Sequence, residues 1–400
     1  MPVSLSPSVA LPNRWAGAVA VYAAGLMQGL TIVSFPASGA LLRAMHGFSS
    51  AEYGAIFLPQ TALAIVGSLL SGVLARRMGL RALLRLALVM GAVAEGLLAS
   101  TTLLAPGPAY GAVLAAIGFA GLGFGLAAAP LNAYPGILFP ARRESALVVV
   151  HTMVGAGFAV GPLLGGALAA RGLWLAFPLA LAGLAATLAA APIPSPAAAS
   201  ASATAVTRDG RPLGSAIFWT LVAVAVVYAL CEGTFSNWIV IYLQEERGVP
   251  APSAALALSV FWAALVAGRL VVSALVVRVP ARVVWMILPV LMVAAFLLLP
   301  SARDATSGIV LFGLAGVACS AFFPLTMGIA SARFPAHVPW VSGMLTAALM
   351  LGVGIGSFVL GPLRRLLDLS ALYRASALYP VVLLALLVVV TAKPEDKKKS

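Results

Sequence analysis

The chain has 400 residues, of which 62% are hydrophobic and 9% are charged, and its mean hydropathy is +1.07. These values lie far outside the range of soluble domains and indicate an integral membrane protein. The formal net charge of +13 does not indicate nucleic-acid binding, because the arginines fall in short segments between apolar runs and form no basic surface with interleaved aromatic residues.

Stretches of about 20 apolar residues, bounded by charges, prolines or glycine clusters, predict membrane-spanning helices. Twelve such stretches occur in the sequence: 14–42, 52–75, 82–104, 109–138, 144–170, 172–192, 216–243, 253–277, 282–300, 306–331, 338–363 and 370–391. An even number of spans puts both termini on one side of the membrane. The sequence therefore predicts an all-α, polytopic membrane protein with the lipid bilayer as its surroundings.

The distribution of basic residues predicts the orientation. With the N-terminus in the cytoplasm, sixteen of the 24 Lys and Arg residues fall on the cytoplasmic side and seven fall outside, while Arg269 lies within a span. Cytoplasmic loops of membrane proteins carry an excess of Lys and Arg. We therefore expect both termini in the cytoplasm and the protein in the cell's inner (cytoplasmic) membrane.

An internal repeat divides the chain into two halves. At an offset near 200, residues 67–83 align with 268–284, FAVGPL (158–163) aligns with FVLGPL (358–363), and PL…FPA recurs at 130–141 and 324–336. Residues 193–215 are rich in Ala, Ser and Pro, which is typical of a flexible linker. We expect a six-helix bundle at 1–192, a cytoplasmic linker at 193–215, and a second, parallel bundle at 216–400 that ends in a short basic tail.

Glu232 lies in the middle of the seventh predicted span. An ionised carboxylate facing lipid there costs on the order of 2.5 kcal/mol or more. Tyr228, Glu232 and Ser236 share one helical face at i, i+4 spacing. Buried acids in membranes commonly serve proton or substrate pathways, so we predict that role for Glu232. The alternative is a neutral, hydrogen-bonded carboxyl with a purely structural role.

Asn237 and Trp238 follow in the same span, and Arg269 lies in the next one. Asn237 is about 140° around an ideal helix from Glu232 and therefore leaves its face. Arg269 lies at a different depth, but both charged side chains are long. Three interpretations stay open: a Glu232–Arg269 pair that breaks during a transport cycle, an anion site at Arg269, or a fixed structural pair.

Further polar residues are candidates for lining a pathway. His151 in the fifth span shares a face with Gly155 and can titrate near physiological pH, although a hydrogen-bonded packing histidine fits equally well. Asn132 in the fourth span and Gln28 in the first are candidate pore-lining amides. Glu95 in the third span is a carboxyl for which we expect a helix-pairing role.

Gly157, Gly161 and Gly165 in the fifth span have the small-x-x-x-small spacing that lets helix backbones approach closely. Tight static packing and a sliding contact are both consistent with this pattern. Pro162 in the same span and Pro324 in the tenth interrupt the backbone hydrogen bonding and permit bends.

The sequence between the second and third spans resembles a signature of the major facilitator superfamily. It reads Gly72-Val-Leu-Ala-Arg76-Arg77-Met-Gly79-Leu-Arg81, against Gly-x-Leu-Ala-Asp-Arg-x-Gly-Arg-Arg/Lys in that family. The resemblance implies the major facilitator fold and a cytoplasmic gating loop. Arg76 replaces the family's Asp, so the charge network in which that carboxylate takes part must be altered or absent here.

Shorter motifs resemble subgroups of the same superfamily. Gly157-x-x-x-Gly161-Pro162-x-x-Gly165-Gly166 resembles a motif of antiporters, but its upstream part is not evident and antiport is not inferred. A resemblance to the fucose-permease-like branch is carried by Glu232-Gly233, Asn237-Trp238, Gly268-Arg269, Phe323-Pro324-Leu325-Thr326 and His151. This branch implies a small polar solute, sugar-like and often moved with a proton, and we expect the protein to function as a monomer.

These observations predict a secondary active transporter that moves a sugar-like solute or an organic anion by alternating access, in symport with a proton. An exporter of drugs or metabolites is an alternative, as is a non-transporting membrane sensor with the same fold. ATP coupling is not expected, because no Gly-x-x-x-x-Gly-Lys-Ser/Thr loop occurs. Neither an enzyme, a cofactor nor a metal is predicted, because His46, His151 and His337 are scattered and Cys231 and Cys319 lie in separate apolar runs.

Overall fold

The computed structural model describes residues 14–193 and 212–392. All regular elements in these two ranges are helical, which confirms the predicted all-α class. We number the bundle helices of the described chain in order: α1 (Arg14–His46), α2 (Ser50–Met78), α3 (Leu80–Ser100), α4 (Pro106–Leu138), α5 (Arg143–Ala169), α6 (Ala176–Ala190), α7 (Ala216–Ile241), α8 (Ala251–Leu275), α9 (Ala281–Leu298), α10 (Ala305–Arg333), α11 (Val338–Leu363) and α12 (Leu369–Ala392).

Eleven of these helices in the described ranges are long and apolar enough to cross a membrane, and α6 is shorter, with 15 residues. The helix begins four residues later than the predicted span at 172–192 because Gly172, with φ of 71°, turns the chain first. The predicted linker and the basic tail lie largely outside the described residues. The division into two bundles joined by that linker stays a prediction.

Consecutive helices reverse direction, so their ends alternate between two faces of the bundle. We call the face that holds Arg14, Ala190, Ala216 and Ala392 the termini side, and the opposite face the distal side. We refer to helices α1–α6 as the N-half and to α7–α12 as the C-half.

Helices α5 and α8 run antiparallel and pack against each other across the two halves. From the distal side inward, Gly166 faces Ala255, the Phe158 ring stacks on Trp262 with centroids 4.4 Å apart, and Gly155 faces Val266. A Cβ atom added to Gly166 would lie 2.5 Å from the Ala255 Cβ. The two backbones therefore approach so closely that only glycine fits at this position.

Helices α2 and α11 form a second contact between the halves. A Cβ atom added to Gly361 would lie 2.5 Å from the Ser50 carbonyl oxygen, and one added to Gly54 would lie 2.8 Å from the Phe358 carbonyl oxygen. These close approaches lie near the distal side, as do those of Gly166. The halves are thus pressed together at the distal side along two helix pairs.

The predicted glycine ladder of α5 packs on a different surface. Gly157 lies against the backbone of α1 at Leu26, Gly161 lies against Val33 of α1, and Gly165 lies against Phe177 of α6. Pro162 is inside α5. The ladder therefore packs within the N-half, whereas the neighbouring glycines of α5 face the C-half.

Helix α10 is interrupted near its middle. It consists of Ala305–Cys319 and Phe322–Arg333. Pro324 has no N–H, so the carbonyl of Ser320, four residues earlier, cannot receive its helical hydrogen bond. At the distal end, the Asp304 side chain caps the helix and accepts from the Ser307 backbone N–H at 2.8 Å. This bond and the Ser307 hydroxyl hold the pKa of the Asp304 carboxyl below its usual value.

Helix α7 lies in the interior of the C-half. Every residue from 233 to 243 is buried, and the helix continues into a π-helical turn at Tyr242–Glu246. Ser215 caps its start by accepting from the Phe218 N–H at 3.3 Å. Glu232, at the edge of this buried stretch, is partly exposed, so its carboxyl lies where α7 meets accessible space.

Candidate functional site

The Tyr228 hydroxyl lies between two acceptor oxygens. It is 2.5 Å from Oε2 of Glu232 on the same helix and 2.9 Å from the Cys319 carbonyl oxygen of α10. The tyrosine is fully buried and its ring stacks on Phe322 at 5.0 Å. The carboxyl of Glu232 is therefore held against the interruption of α10.

Arg269 of α8 reaches the same interruption. Its Nε donates to the Ser320 carbonyl oxygen at 2.9 Å, which is the carbonyl that Pro324 leaves without a helical partner. Side chains from α7 and α8 thus bind two consecutive carbonyls of α10. Sequence reasoning names Pro324 as a source of bending, but it does not indicate which side chain takes the freed carbonyl.

Glu232 and Arg269 are close but not paired. Within the described chain, no ion pair of 4.0 Å or less joins them, although Tyr228, the partner of Glu232, and Arg269 bind consecutive carbonyls of α10. The direct pair that the sequence allows is thus absent from this conformation. Both residues instead bind α10, one through Tyr228 and the other directly.

Two predicted residues of the N-half lie opposite this group. His151 Nε2 is 3.2 Å from Oδ1 of Asn132, and Nδ2 of Asn132 donates to the Ala128 carbonyl at 2.7 Å. Both side chains are exposed although they lie inside α5 and α4. Since His151 lies on α5, the helix that packs against α8 of the C-half, these side chains border the space between the halves.

Asn237 and Trp238 have different contacts from Glu232. Nδ2 of Asn237 donates to the Ser357 hydroxyl at 2.6 Å, Nε1 of Trp238 donates to the Ser357 carbonyl at 2.9 Å, and the Tyr53 hydroxyl donates to the Asn237 carbonyl at 2.8 Å. Trp238 is fully buried. These contacts join α2, α7 and α11, so the structure places both residues at a helix junction on the distal side and not in an open path.

We call Tyr228, Glu232, Arg269 and His151 the central group. Three further predicted residues have little part in it. The Ser236 hydroxyl donates to the Glu232 carbonyl at 2.8 Å and is otherwise buried. Gln28 is 4% exposed on α1 and contributes no hydrogen bond to the group. Glu95 is fully buried on α3, where its Oε1 lies 2.9 Å from the Ser34 hydroxyl of α1. The position of Glu95 between two helices of the N-half fits the helix-pairing role.

The predicted gating loop joins α2 to α3 at the termini side. Gly79 has a φ of 84° and donates its N–H to the Ala75 carbonyl at 3.0 Å, so the turn requires a glycine. Gly72, Arg76, Arg77 and Arg81 are exposed. Within the described ranges these three arginines form no ion pair, in agreement with the loss of the acidic residue from the family signature.

An ionic cluster at the distal side was not found by sequence reasoning. Nη1 of Arg43, at the end of α1, lies 2.5 Å from Oε1 of Glu245 in the π turn after α7. Arg364 lies 3.9 Å from Glu245 and 3.3 Å from Glu246. Since 202 residues separate Arg43 from Glu245, only the clustering of charges at helix ends could have indicated this contact between the halves.

Trp262 is a second feature that the sequence analysis does not indicate. Its ring stacks on Phe158 of the other half, but its Nε1 is buried and has no hydrogen-bond partner. Buried indole N–H groups usually find a partner. The sequence offers no signal for this feature, because it depends on how α5 and α8 meet.

Among the residues that the structure describes, no group of three or more His, Cys, Asp or Glu side chains could hold a metal ion. Cys231 and Cys319 are free thiols. The chemistry of the central group is therefore that of one carboxyl, one guanidinium, one phenol and one imidazole, which can bind polar solutes and protons.

Comparison with known proteins identifies this architecture. The family model described as Major Facilitator Superfamily matches residues 17–313 and 221–400. A crystal structure of the nucleoside transporter NupG, determined for a point mutant, superposes with a TM-score of 0.76 at 16% identity, and the match covers 93% of this chain and 99% of that one.

A bacterial homologue of the human lysosomal transporter Spinster, in an inward-facing and unoccupied conformation, gives a TM-score of 0.70 at 16% identity and covers 95% of this chain and 96% of that one. Its inward-facing, occupied form gives 0.68 at 16% identity with the same coverage. No curated protein matches the chain significantly. These matches establish the superfamily and its fold, but not the fucose-permease-like branch.

Proposed function

Because the chain belongs to the Major Facilitator Superfamily and is a membrane transporter and not an enzyme, we propose that it moves a small polar solute by alternating access, in symport with a proton carried by Glu232. The observation that carries this proposal is the position of the Tyr228 hydroxyl between Glu232 and Cys319. A tyrosine hydroxyl has a single proton to donate.

The count of protons favours a neutral Glu232 in this conformation. If Glu232 is ionised, Tyr228 can satisfy only one of its two neighbouring oxygens. If Glu232 is protonated, the carboxyl donates to the Tyr228 oxygen at 2.5 Å and Tyr228 donates to the Cys319 carbonyl at 2.9 Å. Both acceptors are then satisfied, and the cost of a charge within a span is avoided.

The contacts between the halves support alternating access. The distal side is closed by the Arg43–Glu245 pair and by the packing of Gly361 on α2, while His151 and Asn132 are exposed nearer the termini side. The excess of basic residues at the termini side favours a cytoplasmic location for it. The conformation is then inward-facing, and inward-facing is also the state named for the Spinster homologue.

Two further parts of the proposal follow from the same observations. The central group is complete within one chain, so we expect the transporter to function as a monomer. The excess of basic residues at the termini side supports a cytoplasmic location for both termini, in a protein of the inner membrane. An exporter of drugs or metabolites would use the same fold, and no observed contact among the described residues favours it over an importer.

Purified protein in liposomes with an imposed pH gradient tests the proposal. We would screen sugars, carboxylates and lipophilic cations for uptake, and then compare Glu232→Gln with the wild type. The amide imitates a permanently protonated carboxyl, so we expect exchange of solute across the membrane to persist while gradient-driven accumulation falls at least ~tenfold.

Glu95→Gln is the matched control, because it removes another buried carboxyl of the bundle without touching the central group. Accumulation by Glu232→Gln at the wild-type level would contradict proton coupling through this residue. A lack of gradient-dependent flux for all compounds would favour a sensor that retains the fold.

A further inference from the structure

Arg269 uses only part of its hydrogen-bonding capacity. Nε donates to the Ser320 carbonyl at 2.9 Å, but neither Nη group makes a hydrogen bond or an ion pair with a described residue. Neither Nη is among the buried unpaired atoms, so both retain access to solvent. The hydrogen bond from Nε therefore fixes the guanidinium in position, while its two Nη groups are free to bind a solute.

No described neighbour neutralises this charge. The groups near Arg269 are the Ser320 carbonyl of α10, to which it donates, the Cys319 thiol of the same helix, His151 of α5, and Glu232 of α7 with its partner Tyr228. The hydrogen bonds around Tyr228 favour a neutral Glu232, and His151 is held by an amide and not by a carboxylate. The proton-loaded site thus carries one uncompensated positive charge.

An uncompensated charge at this depth is costly in a membrane protein. The cost is removed if the solute supplies the opposite charge. A guanidinium fork matches a carboxylate in a bidentate arrangement. One arginine balances one negative charge, whereas a phosphate dianion would require a second cation, and the group as described supplies none.

From this geometry we infer that the solute is a small monocarboxylate, bound through both Nη groups of Arg269 in the C-half, with His151 and Asn132 contacting it from the N-half. This inference rests on the proposed transport function and names its substrate class. Since the anion travels with one proton on Glu232, a transport cycle moves no net charge.

Binding can be tested without knowing the natural solute. We would measure the thermal stability of the purified protein with lactate, benzoate, nicotinate and gluconate, and with the neutral amide of each acid. We expect stabilisation by one or more of the acids and none by its amide. Stabilisation by the amides, or by neither set, would overturn the inference.

Variants of Arg269 sharpen the test. Arg269→Gln should abolish the stabilisation, and Arg269→Lys, which keeps the charge but not the fork, should weaken binding about tenfold. Arg282→Gln is the matched control, because that arginine is exposed on α9 and donates to the Thr391 carbonyl away from the site. If Arg269→Gln folds and still responds to the acids, the inference is wrong.

The charge moved per cycle separates this inference from the proposed function. In liposomes with the pH gradient and the membrane potential set independently, uptake of the stabilising acid should follow the pH gradient and ignore the potential. Uptake of the acid driven by an inside-negative potential would mean that more than one proton accompanies each anion, which overturns the charge balance from which the substrate class is inferred and retains proton coupling. Uptake that ignores the pH gradient would refute proton coupling, while the binding data would still decide the substrate class.

Discussion

The hydroxyl of Tyr228 lies 2.5 Å from the Glu232 carboxyl and 2.9 Å from the Cys319 carbonyl, so one phenol links the acid of α7 to the interruption of α10. This arrangement connects the protonation of Glu232 to the helix that also anchors Arg269. A change of protonation at Glu232 therefore alters the hydrogen bonding of α10 directly.

Replacement of Tyr228 by phenylalanine should weaken proton binding while leaving the helix packed. The variant removes the acceptor for the protonated carboxyl, a hydrogen bond worth about 0.5–1.5 kcal/mol. We expect the pH of half-maximal uptake to fall by up to about one unit. A pH profile of uptake measures this shift, and Tyr379→Phe, a tyrosine of α12 outside the central group, is its control. An unchanged pH profile would show that Tyr228 does not affect proton binding by Glu232.

Disruption of the Arg43–Glu245 pair should loosen the distal side. The pair is partly exposed, so we expect Glu245→Gln to change the balance between closed and open forms by at most about fivefold, consistent with less than about 1 kcal/mol. Hydrogen–deuterium exchange of residues 50–57 and 357–361 reports this opening. The double exchange Arg43→Glu with Glu245→Arg should recover only part of the protection lost in Arg43→Glu, because Arg364 lies 3.9 Å from Glu245 and Arg43 also donates to the Phe48 carbonyl and the Ser50 hydroxyl. Protection no better than in Arg43→Glu would argue against a direct pair.

Trp262→Phe should stabilise the observed conformation or leave it unchanged. A buried N–H without a partner costs about 1–3 kcal/mol, and phenylalanine removes it while keeping a ring for Phe158. Trp285→Phe is the control. Nε1 of Trp285 donates to the Thr326 hydroxyl at 2.8 Å, so the loss of this hydrogen bond should lower the unfolding temperature. Equal losses in both variants would show that the Trp262 N–H is not costly.

A side chain larger than hydrogen at Gly166 should prevent closure of the distal side. Valine there would collide with Ala255 of the other half, so we expect uptake to fall at least ~tenfold and residues 50–57 to exchange faster. Ala167→Val, at the next position of the same helix and exposed, is the control. Normal transport by Gly166→Val would show that the transport cycle does not require the close approach of Gly166 to Ala255.

Much of the architecture is accessible from the sequence, because the length and spacing of apolar runs determine how many helices can cross a bilayer. Helical geometry also turns Asn237 away from the face of Glu232, and in the structure Asn237 bonds Ser357 of α11. The missing carboxylate at Arg76 can likewise be read directly from the motif. These features depend on local spacing alone.

The composition of the central group depends on contacts between distant segments. Arg269 can bind the Ser320 carbonyl for two reasons: Pro324 leaves that carbonyl without a helical donor, and α8 packs close to α10. Only the effect of Pro324 can be predicted from the local sequence. Trp238 is close to Glu232 in the sequence, and for that reason the sequence suggests one site for both. In the structure, however, the Trp238 indole donates to the Ser357 carbonyl at the distal side. The Arg43–Glu245 contact has no local signal, since the two residues belong to different halves.

The protonation of Glu232 is the claim on which proton coupling and the charge balance of the site both depend. Infrared spectroscopy of the protein in lipid at neutral pH can detect it through the C=O stretch of a carboxylic acid. Because Glu95 is also a fully buried carboxyl, we predict two such bands, one that is lost in Glu232→Gln and a different one that is lost in Glu95→Gln. A spectrum in which Glu232→Gln removes only carboxylate bands would show that Glu232 is ionised and would contradict the account.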